Sequence, residues 1–151
     1  MRTKILILLT ITVFFITCKK DSFNTKPQIT FNNVNSTVFS QGQILTFQLD
    51  FTDKEGDIQD TLWVEKISRT CPKEVGVQII NKNKVPNFTP TSNLKGKLEI
   101  SYIYNGNAPG ITSIIGCSNK NDTAYFRFWL KDKAQNRSDT ITSPDIILLK
   151  K

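Results

Sequence analysis

The acids of Asp53-Lys-Glu55-Gly-Asp57-Ile-Gln-Asp60 are the residues of this chain whose type and spacing best suit the capture of a ligand. Calcium takes about six to eight oxygens from carboxylates, carbonyls and water, and Gly56 permits the sharp turn needed to gather such acids. Asp132, near the other end of the chain, is a further candidate oxygen donor. No terminal Glu completes an EF-hand spacing, so a helix-loop-helix site is excluded. The same residues also read as a solvated turn in which Asp and Gly satisfy the backbone. A second group with chemical potential is aromatic. Trp129 and Tyr125 alternate with Phe126, Phe128 and Leu130 and so share the opposite side of a strand, where aromatics either stack on a ligand such as a sugar or form a cross-strand ladder. Trp63 cannot be assigned a side by parity.

Other chemistry is poorly provided for. The chain of 151 residues has no histidine, which removes Ser-His-Asp and Cys-His nucleophile systems, His-ligated zinc and the usual base at neutral pH. Carboxylate-pair hydrolysis needs two acids converging in a cleft, for which a chain of this length leaves little material. No Gly-rich phosphate loop is present. The expectation is a protein that binds or supports, without catalysis.

The elements that would position these residues are strands. Apolar and polar residues alternate through Leu45, Phe47, Leu49 and Phe51, and again through Phe126, Phe128 and Leu130, which is the period of a half-buried strand. Further strands are expected at residues 28–32, 61–68, 75–80, 97–104 and 145–149, bounded by Gly, Pro, Asn and Asp. No amphipathic helix is evident. About seven strands after residue 28 predict a single antiparallel immunoglobulin-like β-sandwich, with a small closed barrel as the alternative. Residues 81–96 and 105–120 read as long connections.

The amino terminus has a different character. Arg2 and Lys4 precede an apolar run from Ile5 to Ile16, too short for the ~20 residues of a spanning helix and within the range of an export signal. At Phe15-Ile16-Thr17-Cys18-Lys19-Lys20-Asp21 the chain turns abruptly polar. This segment resembles the lipobox of bacterial lipoproteins, and Cys-Lys-Lys-Asp after a short apolar run resembles those of the Bacteroidota in particular. Asp53 to Asp60 and Asp132-Lys-Ala-Gln-Asn136-Arg-Ser138-Asp139 are likewise similar to the loops of extracellular cadherin- or PKD-like sandwich domains, some of which bind calcium. The resemblance implies a signal peptide at 1–17, a lipidated Cys18 with a tether to residue 27, and a sandwich domain at 28–151. It also implies an outer-membrane location, on either the periplasmic or the surface face, with the membrane as partner through the lipid. Envelope proteins or glycans are the further partners expected. The alternative function is a carbohydrate-binding surface lipoprotein that uses exposed aromatics.

Three cysteines leave one unpaired. Lipidation of Cys18 accounts for it, and Cys71 and Cys117 are then expected to form a disulfide in an oxidising compartment; two buried thiols are the alternative. Loss of residues 1–17 removes Arg2 and Lys4, so 20 cations fall to 18 against 13 acids and the mature chain carries +5. With those charges scattered rather than clustered along the sequence, nucleic acid is not expected as a partner.

Overall fold

Alternation of side chains dictates two faces for each long strand, and the apolar faces find one another. The computed structural model describes residues 23–150 except Val75, so Cys18 and the leader lie outside the described residues. The strands in chain order are β1 (Gln28–Val34), β2 (Val38–Phe39), β3 (Ile44–Asp53), β4 (Thr61–Ser68), β5 (Ile79–Lys84), β6 (Leu94–Tyr104), β7 (Thr112–Ile114), β8 (Asp122–Lys131), β9 (Ile141–Thr142) and β10 (Ile146–Leu148). One sheet has the order β1-β3-β6-β7; the other has β2-β10-β8-β4-β5, with β9 also on β8. The fold is an all-β sandwich of two mixed sheets and not a closed barrel.

The core lies where the faces of β3 and β8 meet. Leu45, Phe47 and Leu49 from one sheet and Phe126, Phe128 and Leu130 from the other are all buried. Phe47 inserts between two rings of the opposing sheet, its centroid 4.7 Å from Phe126 and 5.2 Å from Phe128. Such offset and edge-on contacts favour the negative ring faces meeting positive ring edges.

Six of the seven expected strands occur close to their predicted places, and the seventh is displaced. The strand expected at 75–80 starts at Ile79 and continues through polar residues to Lys84, pairing with β4 as the outer strand of its sheet. At this margin of the sheet the inward residues are only half-buried, so polar side chains suffice: Asn83 donates to the Leu62 carbonyl at 3.4 Å and the Tyr102 hydroxyl at 3.2 Å, while Lys82 and Lys84 face outward. The connection expected at 81–96 therefore shortens to 85–93, and it crosses from one sheet to the other. Three strands outside the expected set, β2, β7 and β9, have only two or three residues, too few to show a period. Two of them add parallel pairings, β2 with β10 and β7 with β6, to otherwise antiparallel ladders.

Cys71 and Cys117 form a disulfide with Cα atoms 5.9 Å apart. Cys71 follows β4 and Cys117 lies between β7 and β8, so the bridge ties two connections together beside the sheet rather than joining the two sheets through the core. Both half-cystines pack with Val77 in a small apolar cluster of their own.

Candidate metal centre and binding face

Asp53 ends β3 and Asp132 directly follows β8, so the last residues of two facing central strands deliver acids to one end of the sandwich. The intervening loop brings a third. One carboxylate oxygen from each of Asp53, Asp57 and Asp132 can be chosen so that all lie within 4.8 Å of one another. Asp53 and Asp132 are fully buried and Asp57 is half-buried.

Local hydrogen bonding holds each acid in place. Asp53 Oδ2 accepts the backbone N–H groups of Gly56 (2.6 Å) and Asp57 (3.0 Å). Gly56 has φ of +72°, and a Cβ at that position would run into the backbone of Thr91, so the turn requires glycine on both counts. Asp132 Oδ1 accepts the Asn136 N–H at 2.7 Å and Oδ2 accepts the Asn136 side-chain amide at 2.9 Å. Lys133 N–H donates to the Asp57 carbonyl at 3.0 Å, joining the two loops.

Asp53 Oδ1, by contrast, is buried and accepts no hydrogen bond from any of the described residues, and Gln59 Oε1 is in the same condition. A buried acceptor without a donor costs about 1–3 kcal/mol, more when it is charged. Burial, as the largest influence, pushes the Asp53 carboxyl above the usual carboxylate range; the N–H groups of Asp57 and Gly56 oppose this, and the charges of Asp57 and Asp132 add to it. A hard cation bound by oxygen relieves each of these penalties together. The arrangement therefore fits calcium chemically: three carboxylates, one with an unused buried oxygen, aligned by two joined loops. Glu55 and Asp60 stand apart. Glu55 is exposed, while Asp60 accepts the Thr61 hydroxyl at 3.0 Å and the Gln135 amide at 3.3 Å.

The aromatic residues occupy the outer face of the second sheet. Trp63 and Trp129 are direct cross-strand partners and stack, with centroids 5.6 Å apart and planes 12° from parallel. Lys82, the partner of Trp63 on β5, places its ammonium 4.5 Å from the Trp63 centroid, and Arg137 lies 4.8 Å over Trp129. Since β4 lies between β5 and β8, Lys82 and Trp129 cover opposite faces of Trp63. Arg69 covers Tyr125 at 4.4 Å. These cation–ring contacts combine with the ladder expected of a sheet face. A sugar stacking flat on Trp129 would have to displace either the Arg137 guanidinium or the Trp63 ring, and on the covered face of Tyr125 it would have to displace Arg69.

One charged pair was missed in the sequence although its signal was there. Lys66 and Ser68 continue the buried parity of Leu62 and Val64 in β4. Lys66 Nζ reaches Asp122 Oδ2 at 2.7 Å and the Val77 carbonyl at 3.0 Å, with both charged side chains fully buried. Burial, the dominant influence, lowers the Lys66 pKa, and Asp122 opposes that shift.

No protein-family model matches this chain, and no curated protein matches it by sequence. Among solved structures it is similar to Spo0M, a sporulation control protein from Bacillus subtilis, at 4% identity and a TM-score of 0.45 over 83% of this chain. The match spans 50% of the Spo0M chain.

Proposed function

We propose that this chain is a lipoprotein, anchored through Cys18, whose sandwich serves as a calcium-braced binding or structural module of the cell envelope and has no catalytic role. The observation that carries the module reading is the buried, unsatisfied Asp53 Oδ1 within the three-acid end of the sandwich. A bound ion there joins the β3 and β8 ends across the two sheets. The anchor reading rests on the lipobox-like residues before Cys18. Stable anchoring takes more than one acyl chain, which a di- or triacylated cysteine provides.

The anchor is tested by metabolic labelling with a palmitate analogue in a Gram-negative host. Label is expected in the wild-type chain and absent from Cys18→Ser; an unlabelled wild-type chain refutes the anchor. The metal site is tested by thermal unfolding in millimolar calcium against excess chelator. Calcium is expected to raise Tm, with a stabilisation of about 2.7 kcal/mol when free ion is a hundredfold above Kd. Asp57→Asn is expected to abolish that response and Glu55→Gln to leave it intact. Equal Tm with calcium and chelator refutes the site.

The pH dependence has a definite sign. Asp53 has a raised folded-state pKa in the absence of the ion, so the folded chain holds this proton more tightly than the unfolded chain does. The Asp53 contribution to stability without calcium thus improves as pH falls through that raised value toward 3.8, the unperturbed value. Calcium binds the ionised form, so its effect on Tm shrinks over the same window.

A further inference from the structure

The outer faces of the two sheets differ in charge. On the first, Asp50 pairs in register with Lys97 and Gln48 with Glu99, while Lys95 lies opposite Thr52, giving an even balance. On the second, Lys82, Lys84, Arg69, Arg127, Lys131 and Arg137 are gathered with the acids Glu65 and Asp145, and the mutually neutralising Lys26–Asp139 pair stands at the margin. Both acids are already engaged, Glu65 with Arg127 at 3.1 Å and Asp145 with Arg69 at 2.9 Å. Charges that look scattered along the sequence are thus collected by the fold onto one surface.

That surface is also apolar. Ile80 is 58% exposed and lies opposite Glu65 on β5, while Val38 (44%) and Ile147 (37%) are register partners at the other side of the same sheet. Between them stand the half-buried Trp63, Trp129 and Tyr125, each with a cation over a ring face. Cations set over indole and phenol rings, with aliphatic side chains around them, match the chemistry of a bilayer interface.

The tether ends beside this face. Lys26 pairs with Asp139 at 2.6 Å, and Asp139 lies two residues beyond Arg137, the cation over Trp129. From Cys18 to Lys26 an extended chain reaches at most ~30 Å. A lipid on Cys18 would therefore hold this edge of the sandwich within ~30 Å of the membrane surface, close enough for the sheet face to reach it.

We propose that the outer face of the β2-β10-β8-β4-β5 sheet docks on an anionic bilayer surface, laying the sandwich against the membrane that its lipid enters. This inference rests on the anchor reading for proximity, whereas the affinity of the face is its own property. The cations meet lipid phosphates, and the indole rings with Ile80 sit at headgroup depth.

The only two tryptophans of the chain are Trp63 and Trp129, so its tryptophan fluorescence reports on this face alone. The experiment uses residues 18–151 with Cys18→Ser, a chain that holds all the strands of the described residues and carries no acyl group. It is mixed with vesicles of brominated lipids, either phosphatidylcholine alone or with phosphatidylglycerol. Quenching is expected on the phosphatidylglycerol vesicles, weakened by salt and nearly absent on pure phosphatidylcholine. In the double variant Lys82→Glu/Arg137→Glu, both positions being exposed, an unchanged Tm verifies folding and vesicle partitioning is expected to fall at least about tenfold.

Absence of quenching on anionic vesicles overturns the proposal, as does equal quenching on both lipids or an unaltered response in the folded double variant. A fluorescence change with soluble polygalacturonate but none with vesicles overturns it in favour of an acidic glycan. Because the tested chain has no lipid, failure of acyl labelling and failure of docking are separate results.

Discussion

Replacing Lys66 with Met is expected to destabilise the domain by roughly 3–5 kcal/mol, because it leaves Asp122 as an uncompensated charge in the interior. Both partners are fully buried, and Asp122 has one further side-chain donor, the Ser68 hydroxyl at 2.5 Å on Oδ1. That hydroxyl is too weak a partner to replace an ammonium. The opposite comparison separates the pair's net value from the cost of breaking it. Lys66→Met combined with Asp122→Leu removes both charges, and buried ion pairs exchanged for apolar residues of similar volume are often neutral. The double variant should therefore recover most of the loss. Urea unfolding at neutral pH measures all three chains, and a double variant no more stable than Lys66→Met refutes the unpaired-charge explanation.

Loss of the Cys71–Cys117 bridge should cost a similar amount. The chain-entropy model gives about 4 kcal/mol for a loop closed over a sequence separation of 46. Cys117→Ala is expected to lower Tm by about 12–16 °C, taking roughly 3–4 °C per kcal/mol for a domain of this size. The bridge also supports the charged pair. Ser68 Oγ lies 3.4 Å from Cys71 Sγ and accepts the Cys71 N–H at 2.9 Å, and the segment after Cys71 supplies the Val77 carbonyl that Lys66 grips. Removing the bridge loosens the cover of the ion pair, so the effects of Cys117→Ala and Lys66→Met should fail to add. Calorimetry on the single and double variants measures this, and strict additivity excludes the coupling.

Between them these residues explain how a small sandwich tolerates a buried ion pair beside its principal core. The main core is apolar and built from long strands. Among the described residues the disulfide end is a second cluster of Cys71, Val77 and Cys117, with the ion pair beside it. A covalent bond and a well-partnered charge pair supply there the definition that burial of a few side chains cannot.

Much of this architecture is legible along the chain, for a physical reason. A strand exposes its two faces with period two, so Leu45 to Phe51 and Phe126 to Leu130 declare their inward sides without knowledge of any neighbour. Cysteine parity in the same way points to Cys71 and Cys117. Short or marginal strands have no such signature: β2, β7 and β9 span too few residues, and the inward side chains of β5 are only half-buried, so hydrogen-bonded polar residues serve there. Lys66 was legible in principle, as a charge on the apolar parity of β4, but its partner Asp122 lies 56 residues away and is brought to it only by the pairing of β4 with β8.

The two surfaces with functional promise divide along the same line. Local composition was enough to mark Asp53, Asp57 and Asp132 as oxygen donors, since a carboxylate's chemistry belongs to the residue. Only the packing of two sheets could select those three from Glu55 and Asp60, bury Asp53, and leave its Oδ1 without a donor. Charge along the chain looked diffuse because Lys82, Arg127 and Arg137 belong to separate segments. Hydrogen-bond register, which couples residues far apart in sequence, gathered them around Trp63 and Trp129 on one face.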